Sequence, residues 1–596
     1  MKPTILHIIN NLTVRNVPTL IAAACILCAL SLTVVRVETG FCKAESLLCI
    51  VIPITAMAGG AMSIFKKHRF RFTAVDCIAL VWYLYAMGRF WMDGTYPACG
   101  FAVRSTLAIL LYIAMRMLTA SGKRIGGIIV LSLILFSLIE ALIGYSQLLS
   151  GTSRHHLYPA TGSFLNPGPY SAYLAMGLVL LLAVRKTNRS GMLSDILLMT
   201  TAVPLALTMS RAAFLAVAVC ALILYRKRIG GWRQWSMIVA IAAATGVALY
   251  IFKSGSADGR GISNYIGVRC ISGNPWLGNG IGSFFHSYAE ETALMCRNGI
   301  TDSLMKVDVI DYAFNDLLLV GVEQGLAGLS LAIALICVML HRLWNGNRPL
   351  FYASLCLLLI SIFSYPFELL PYQIVGVIIA AYAGGITRKP SSDAPCETVK
   401  DKNNGWRNIL NIIPAVFIVV LTSGILSDTV RERRKAEREY TMISGIQNSA
   451  FIKDYYGLLP LLEGNKRFLF NFGVTLAKAG RYNDSNEMLR RGTLISNDPM
   501  FLVLQGNNFR DMEAYDEAEA MYLKAWHTMP NRIYPLYQMM KLYQKENNRK
   551  KMAEYAEKVI SFKEKVPSPA VRDMKREALE IIKENKYENN LSLIHI

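Results

Sequence analysis

The chain has 596 residues, of which 53% are hydrophobic and only 17% charged, a balance outside the range of ordinary soluble proteins. Its apolar residues come in runs near the ~20 residues that a helix needs to cross the hydrocarbon core, so composition points to a polytopic membrane protein. A net charge of +21 raises nucleic acid as a partner, but many Lys and Arg residues flank apolar runs, as membrane topology requires, and no nucleic-acid binding is expected.

The first apolar run, 17–35, has the form of a signal anchor without a small-x-small cleavage site behind it, and it reads as a retained helix. Further runs lie near 46–65, 73–92, 102–120, 125–149, 168–184, 192–209, 211–225, 235–252, 313–340, 349–364, 369–386 and 408–427, which predicts about thirteen spans. Counted from a cytoplasmic N-terminus, the inward loops carry Lys66, Lys67, Arg69 and Arg71, then Arg116, Lys123 and Arg124, and later Arg226, Lys227, Arg228 and Arg233. The outward loops are much poorer in basic residues, so the positive-inside rule selects this orientation, and an odd number of spans exports the C-terminal region. The expected setting is a bacterial inner membrane with that region in the periplasm. Cysteines are dispersed through apolar runs as small hydrophobes, Cys25 and Cys28 included, while Cys270 and Cys296 share one loop and leave a disulfide open.

From about Asp428 the sequence turns charged and helix-favouring, with self-similarity at a period of roughly 34 residues. NFGVTLAKAGRYNDSNEMLRRGTLISNDP is followed by LQGNNFRDMEAYDEAEAMYLKAWHTMPN and MMKLYQKENNRKKMAEYAEKVISF, with Tyr482 and Tyr515 equivalent, as are Pro499 and Pro530. Each unit resembles a tetratricopeptide repeat, a helix pair that buries its apolar face only by stacking on neighbours. The resemblance implies a small superhelix over 428–590 that binds a protein partner or serves as a spacer or dimerisation element. The final LSLIHI, 591–596, reads as a translated sequencing-adapter end, with the native C-terminus and a further repeat expected beyond it.

Four segments of the first domain, 1–427, set Gly, Pro, Asn and Arg at the expected outer ends of helices, where polar groups line a wet cavity while the helices stay in lipid. They are Tyr145 and Gln147 through GSFLNP to Tyr173, the Ser210–Arg211 pair in TMSRAAFLA, GRGISNYIGVRCISGNPWLGNGIGSFFHSY from Gly259, and YAFNDLLLVGVEQGLAGL from Tyr312. In this order, over 121–385, they resemble the O-antigen ligase and polymerase family of glycan transferases. The resemblance implies an all-α polytopic bundle like the C-type membrane glycosyltransferases and a glycan donor linked to undecaprenyl diphosphate. It also implies lipid A core or a protein hydroxyl as acceptor, and neither metal nor cofactor.

Without a metal, the leaving diphosphate needs cations, and a guanidinium gives bidentate hydrogen bonds to phosphate oxygens. Arg211 is the first candidate because no other charge lies near it in the sequence, an interfacial anchor being its alternative role. Arg260 matches the family's second arginine, and Arg269 is a third whose alternative is a surface charge. Asn166, Asn274, Gly280 and Asn315 complete the expected substrate-binding set. Asn274, Pro275, Gly278, Gly280 and Gly282 are expected to form a compact turn whose backbone N–H groups approach the donor, simple turn formation being the alternative.

Where the family places a histidine before the asparagine of the fourth segment, this chain has Phe314 before Asn315. A base is still required, because the acceptor hydroxyl loses its proton as it attacks the anomeric carbon. Asp316 is the first choice, with Asp311, His286 and Glu323 as the other candidates, although an Asp in a first helical turn also serves the helix N-terminus. His155 and His156 read as exposed loop residues, and Glu140, inside the fifth run, demands a partner. The rival readings are a polymerase of the same family and a noncatalytic transporter or scaffold. A transporter would carry paired internal repeats and helices broken at mid-membrane, and neither is legible in the sequence.

Overall fold

The computed structural model describes residues 17–36, 43–66, 72–97, 99–119, 124–187, 191–228, 231, 236, 254–386, 404–446, 448–564 and 568–594, and among them there is no β-strand. In apolar surroundings a backbone must satisfy its own polar groups, and the apolar runs accordingly close into helices. They are Val17–Ser31 (α1), Lys43–Lys66 (α2), Ala74–Asp93 (α3), Cys99–Thr119 (α4), Ile125–Ser150 (α5), Pro167–Thr187 (α6), Met192–Leu207 (α7) and Arg211–Tyr225 (α8). The expected span near 235–252, apart from residue 236, lies outside the described residues. Next come Ser254–Gly273 (α9), Phe284–Arg297 (α10), Asp316–Gly346 (α11), Arg348–Ser361 (α12), Leu370–Gly385 (α13) and Asn404–Leu421 (α14).

Seven of the described helices are long and apolar enough to cross a membrane: α1 with its 3-10 extension, α2, α4, α5, α6, α11, and α14 together with the helix that follows it. Four more, α7, α8, α12 and α13, are apolar but shorter. One large core joins them, in which α4 packs on α2 and α13, and α6 packs on α5, α8 and α12. Arg116, expected in an inward loop, instead lies in the last turn of α4, where it is buried against Asp76 at 2.9 Å. Tyr112 donates to the same carboxylate at 2.7 Å. A charge inside a helical bundle persists only with such a partner and further hydrogen bonds.

One expectation is corrected here. The segment 259–288, read as a loop, forms α9 and α10, which gather Ile266, Cys270, Phe284, Tyr288 and Cys296 into a separate apolar cluster, both thiols free. At the expected division near Asp428, α14 runs through a wider π-turn at Thr422–Leu426 directly into Ser427–Ile443 (α15). Beyond it stand Ile452–Leu462 (α16) and three helix pairs. These are Lys466–Lys478 (α17) with Tyr482–Thr493 (α18), Met500–Asp511 (α19) with Tyr515–Thr528 (α20), and Tyr534–Lys545 (α21) with Arg549–Ser561 (α22), followed by Pro569–Ile594 (α23). The pairs begin at a constant step, and each packs on the next through its own Leu, Met, Tyr and Phe residues.

Candidate functional site

Buried polar side chains of α5 shape the GSFLNP turn. The Gln147 amide accepts from Thr161 N and Gly162 N at 2.8 and 2.9 Å and donates to Gly162 O at 2.7 Å. Glu140, fully buried, finds its partner in Ser163, accepting from its N–H at 3.0 Å and its hydroxyl at 2.6 Å. Held this way, the turn presents Asn166, whose Nδ2 donates to the Tyr365 hydroxyl at 2.9 Å.

Tyr365 lies in the short link between α12 and α13 and is the centre of an aromatic cluster. Its ring stacks on Tyr312 at 4.0 Å and meets Phe314 edge-on at 5.7 Å. The guanidinium of Arg260 covers the other part of this cluster, 5.0 Å from the Phe314 ring centre, and its Nη1 donates to Phe363 O at 2.8 Å. Phe314 thus forms the apolar bed of an arginine. Arg211 is close enough for its charge to act on Arg260: burial first, and then Arg211, hold the Arg260 guanidinium below its ordinary pKa. Arg211 is the first residue of α8, where the helix dipole disfavours a cation. Among the described residues no carboxylate pairs with either arginine. Two like charges within electrostatic reach of each other, half-buried and with no counter-charge among the described residues, favour an anion at the site.

Helix α11 is broken at Gly325, whose φ of 65° and ψ of −168° are open in practice only to glycine. This corrects the expectation of unbroken helices. The turn 274–284 fills the break: Asn279 N and Gly280 N donate to Val322 O and Glu323 O at 2.8 and 3.1 Å, while Leu326 N and Ala327 N donate to Pro275 O and Trp276 O at 2.7 and 3.2 Å. The Tyr85 hydroxyl closes the set on Gln324 O at 2.7 Å. The close approach explains the glycines, since a Cβ on Gly278 would stand 2.5 Å from Gly325 N. Irregular backbone is tolerated in such a place only when it is satisfied in full. A second expectation is corrected with it, because the N–H groups of Asn279 and Gly280 are spent on α11 and do not face a ligand.

The carboxylates divide by what they hold. Glu323 accepts from the backbone of Gly282 and Phe284 and so anchors the same turn. Asp316 accepts from Phe367 N at 3.2 Å and from the Glu368 backbone, while Glu368 accepts from the Ala313 backbone, which interlocks the two acids. Burial, then the charges of Asp316 and Glu323, push the Glu368 carboxyl well above the ordinary range. One oxygen of each, Asp316 Oδ1 and Glu368 Oε1, is buried with no hydrogen-bond partner among the described residues.

These acids line a cavity of about 1470 Å³ together with Asn166, Tyr312, Asp311 and Arg104. Its opposite wall comes from α15 and the helix pairs, through Arg433, Arg434, Arg438, Lys466 and Arg467. The space exceeds the ~300–1,000 Å³ of most small-molecule sites and suits a chain-like ligand.

The structure therefore brings Arg260 and Asn166 together around Tyr365, with Arg211 within electrostatic reach of Arg260, and Asp316, Glu323 and Asp311 around a nearby cavity. Asn315 caps α11, accepting from Leu318 N at 3.1 Å. Asn274 bonds Asn279 within the turn, and Gly280 sits against Asp93. Arg269 lies apart from Arg211 and Arg260, paired with Glu291 at 2.5 Å on the surface. His286 is engaged with Thr493 O at 3.1 Å, and Asp311 pairs with Lys466. Sequence reasoning missed Tyr365 and Glu368, although a Tyr, a Pro and a Glu between two apolar runs carry the same signal that picked out Arg211.

Fold and site define a helical protein with apolar helices of membrane-crossing length, a large cavity lined by acidic and basic side chains, and two arginines, Arg211 and Arg260, with no carboxylate paired to either among the described residues. No protein-family model matches the chain, and no characterised protein matches it in sequence.

Proposed function

We propose that the chain is a membrane glycan transferase. It moves an oligosaccharide from undecaprenyl diphosphate to an acceptor hydroxyl on the outer side of a bacterial inner membrane, with thirteen spans and the helix pairs as a periplasmic tetratricopeptide-type domain. The observation that carries the reading is Arg260, seated on Phe314 within electrostatic reach of Arg211 and with no carboxylate paired to either among the described residues, together with a cavity whose acids leave two oxygens unpartnered among those residues. In this reading the arginines take the diphosphate and the cavity takes the acceptor. The acceptor oxygen bonds to the anomeric carbon as the bond from that carbon to the diphosphate oxygen breaks. The leaving electron pair goes to the diphosphate, the hydroxyl proton goes to Asp316, and the anomeric centre inverts.

The acceptor is lipid A core, a protein Ser or Thr, or a second carrier-linked unit. Phe314 favours the last of these, a polymerase, because the position that holds a histidine in ligases here supports Arg260 instead. The break in α11 is a feature shared with transporters, but the incoming turn bonds to Val322 O, Glu323 O, Leu326 N and Ala327 N, which takes these groups away from a transported ligand. The test is release of undecaprenyl diphosphate from a carrier-linked oligosaccharide by the purified protein, with each acceptor offered in turn. Release in the wild-type protein and its loss in Arg211→Ala are expected. Equal release by both proteins would remove the arginine pair from the mechanism.

A further inference from the structure

Among the contacts between the helix pairs and the first domain, two come from the same residue type at the same register. Asn497 lies between α18 and α19, and Asn531 holds the equivalent place between α20 and α21. Both are buried, and both spend their side-chain amides outside their own domain. Asn497 accepts from Ile310 N at 3.1 Å and donates to Asp308 O at 3.1 Å, the pair of bonds that a neighbouring β-strand would make with those two residues. Asn531 donates to Met305 O at 3.1 Å and to Val307 O at 2.5 Å. Arg532 adds an ion pair with Asp308 at 3.0 Å, and Lys524 one with Glu290 on α10 at 2.7 Å. Successive repeats thus grip successive peptide groups of the segment 305–310, while Leu304, Val307 and Ile310 are buried in the apolar cluster of α9 and α10.

The gripped segment leads without a break into Tyr312, Phe314 and Asp316. Between Ile310 and the start of α11 the chain has no regular helix of its own to fix it. It is held by the Lys466 pair with Asp311, which again comes from the repeats, by the rings of Tyr312 and Phe314 against Tyr365, and by the interlocked bonds with the 366–368 link. We propose that the repeat domain is a positioning part of the transfer centre: Asn497 and Asn531 set the register of 305–310 and thereby the place of Phe314 beneath Arg260 and of Asp316 in the cavity. The inference rests on the glycan-transfer reading. It assigns the inter-pair loops of the repeats to the chain's own segment 305–310, a short 3-10 turn followed by irregular backbone, so a separate protein partner would have to use another face.

The test uses the full-length protein with both Asn497 and Asn531 replaced by Ala. Three quantities are read: hydrogen exchange at the Ile310 amide, binding of undecaprenyl diphosphate, and turnover of a carrier-linked oligosaccharide at saturating acceptor. The expected result is faster exchange at Ile310, unchanged diphosphate binding and a fall in turnover of about 100-fold, the scale on which a reacting group displaced by roughly 1 Å loses rate. Full turnover with an exposed Ile310 amide would overturn the proposal while leaving the transfer reading intact. Retained turnover in Arg211→Ala would instead overturn the transfer reading itself. Should the double variant fail to fold, Asn497→Asp keeps the side-chain size but loses the bond donated to Asp308 O. A fall in turnover with unchanged diphosphate binding is expected there, and unchanged turnover with an exposed Ile310 amide would again refute the positioning role.

Discussion

Replacing Arg211 with Gln should stabilise the ligand-free protein, whereas replacing Arg260 with Gln should destabilise it, although both changes remove one charge from the same site. Arg260 donates to Phe363 O at 2.8 Å and covers the Phe314 ring at 5.0 Å. A charge-assisted hydrogen bond contributes ~1.5–3 kcal/mol and a cation–π contact ~0.5–1 kcal/mol, and repulsion from Arg211 offsets part of this, leaving a net loss of about 1–3 kcal/mol. For Arg211 the structure gives no polar partner among the described residues, and its place at the first position of α8 opposes the helix dipole, an effect of ~0.3–1 kcal/mol. Its removal, which also relieves the repulsion of Arg260, should therefore raise stability by up to about 1 kcal/mol. The assay is thermal unfolding in detergent with and without undecaprenyl diphosphate. At a hundredfold excess over its Kd the diphosphate should stabilise the wild-type protein by about 2.7 kcal/mol and the Arg211→Gln protein hardly at all. The reasoning is refuted if Arg211→Gln loses as much stability as Arg260→Gln, because Arg211 would then hold a structural partner and not await a ligand.

Glu368→Gln should gain stability over the wild-type protein as pH rises. A carboxyl whose pKa in the fold is raised binds its proton more tightly there than in the unfolded chain, so stability is lost as pH climbs from the ordinary glutamate value of 4.5 toward the raised one. Melting curves at pH 5 and pH 8 measure the difference, which Gln should abolish. Asp316→Asn should cut transfer by roughly 100- to 10,000-fold, as general-base loss does, with diphosphate binding retained in a fluorescence titration. Gly325→Ala places a Cβ 2.4 Å from Trp276 O in a backbone region closed to other residues, and should lower stability by on the order of 3 kcal/mol in denaturant titrations. Phe314→His should weaken the bed of Arg260 and lower diphosphate affinity, while any gain of a new acceptor in the transfer assay would show that the position reaches the acceptor.

What the sequence revealed was local in cause. Apolar runs announce helices because burial and length act over neighbouring residues, and Arg211 stood out because an isolated charge between apolar runs is costly wherever the chain folds. The destination of the NPWLGNG turn was hidden because its N–H groups bond to α11, more than a helix length away in sequence. The break at Gly325 was hidden with it, since EQGLAGL keeps the apolar pattern of a continuous helix and only the incoming turn makes the kink tolerable. Tyr365 and Glu368 were overlooked in a link too short to stand out between two runs. Nothing in the sequence singles out Asn497 and Asn531, and only the fold shows that their amides leave the helix pairs to hold another segment.

The most direct test reconstitutes the purified chain in liposomes with an oligosaccharide on undecaprenyl diphosphate, and follows release of the free diphosphate carrier together with the fate of the glycan. The account predicts release coupled to a new glycosidic bond of inverted configuration, lost in both Arg211→Ala and Arg260→Ala. Intact carrier-linked glycan after incubation with every acceptor, or movement of that glycan across the bilayer without cleavage, would contradict it.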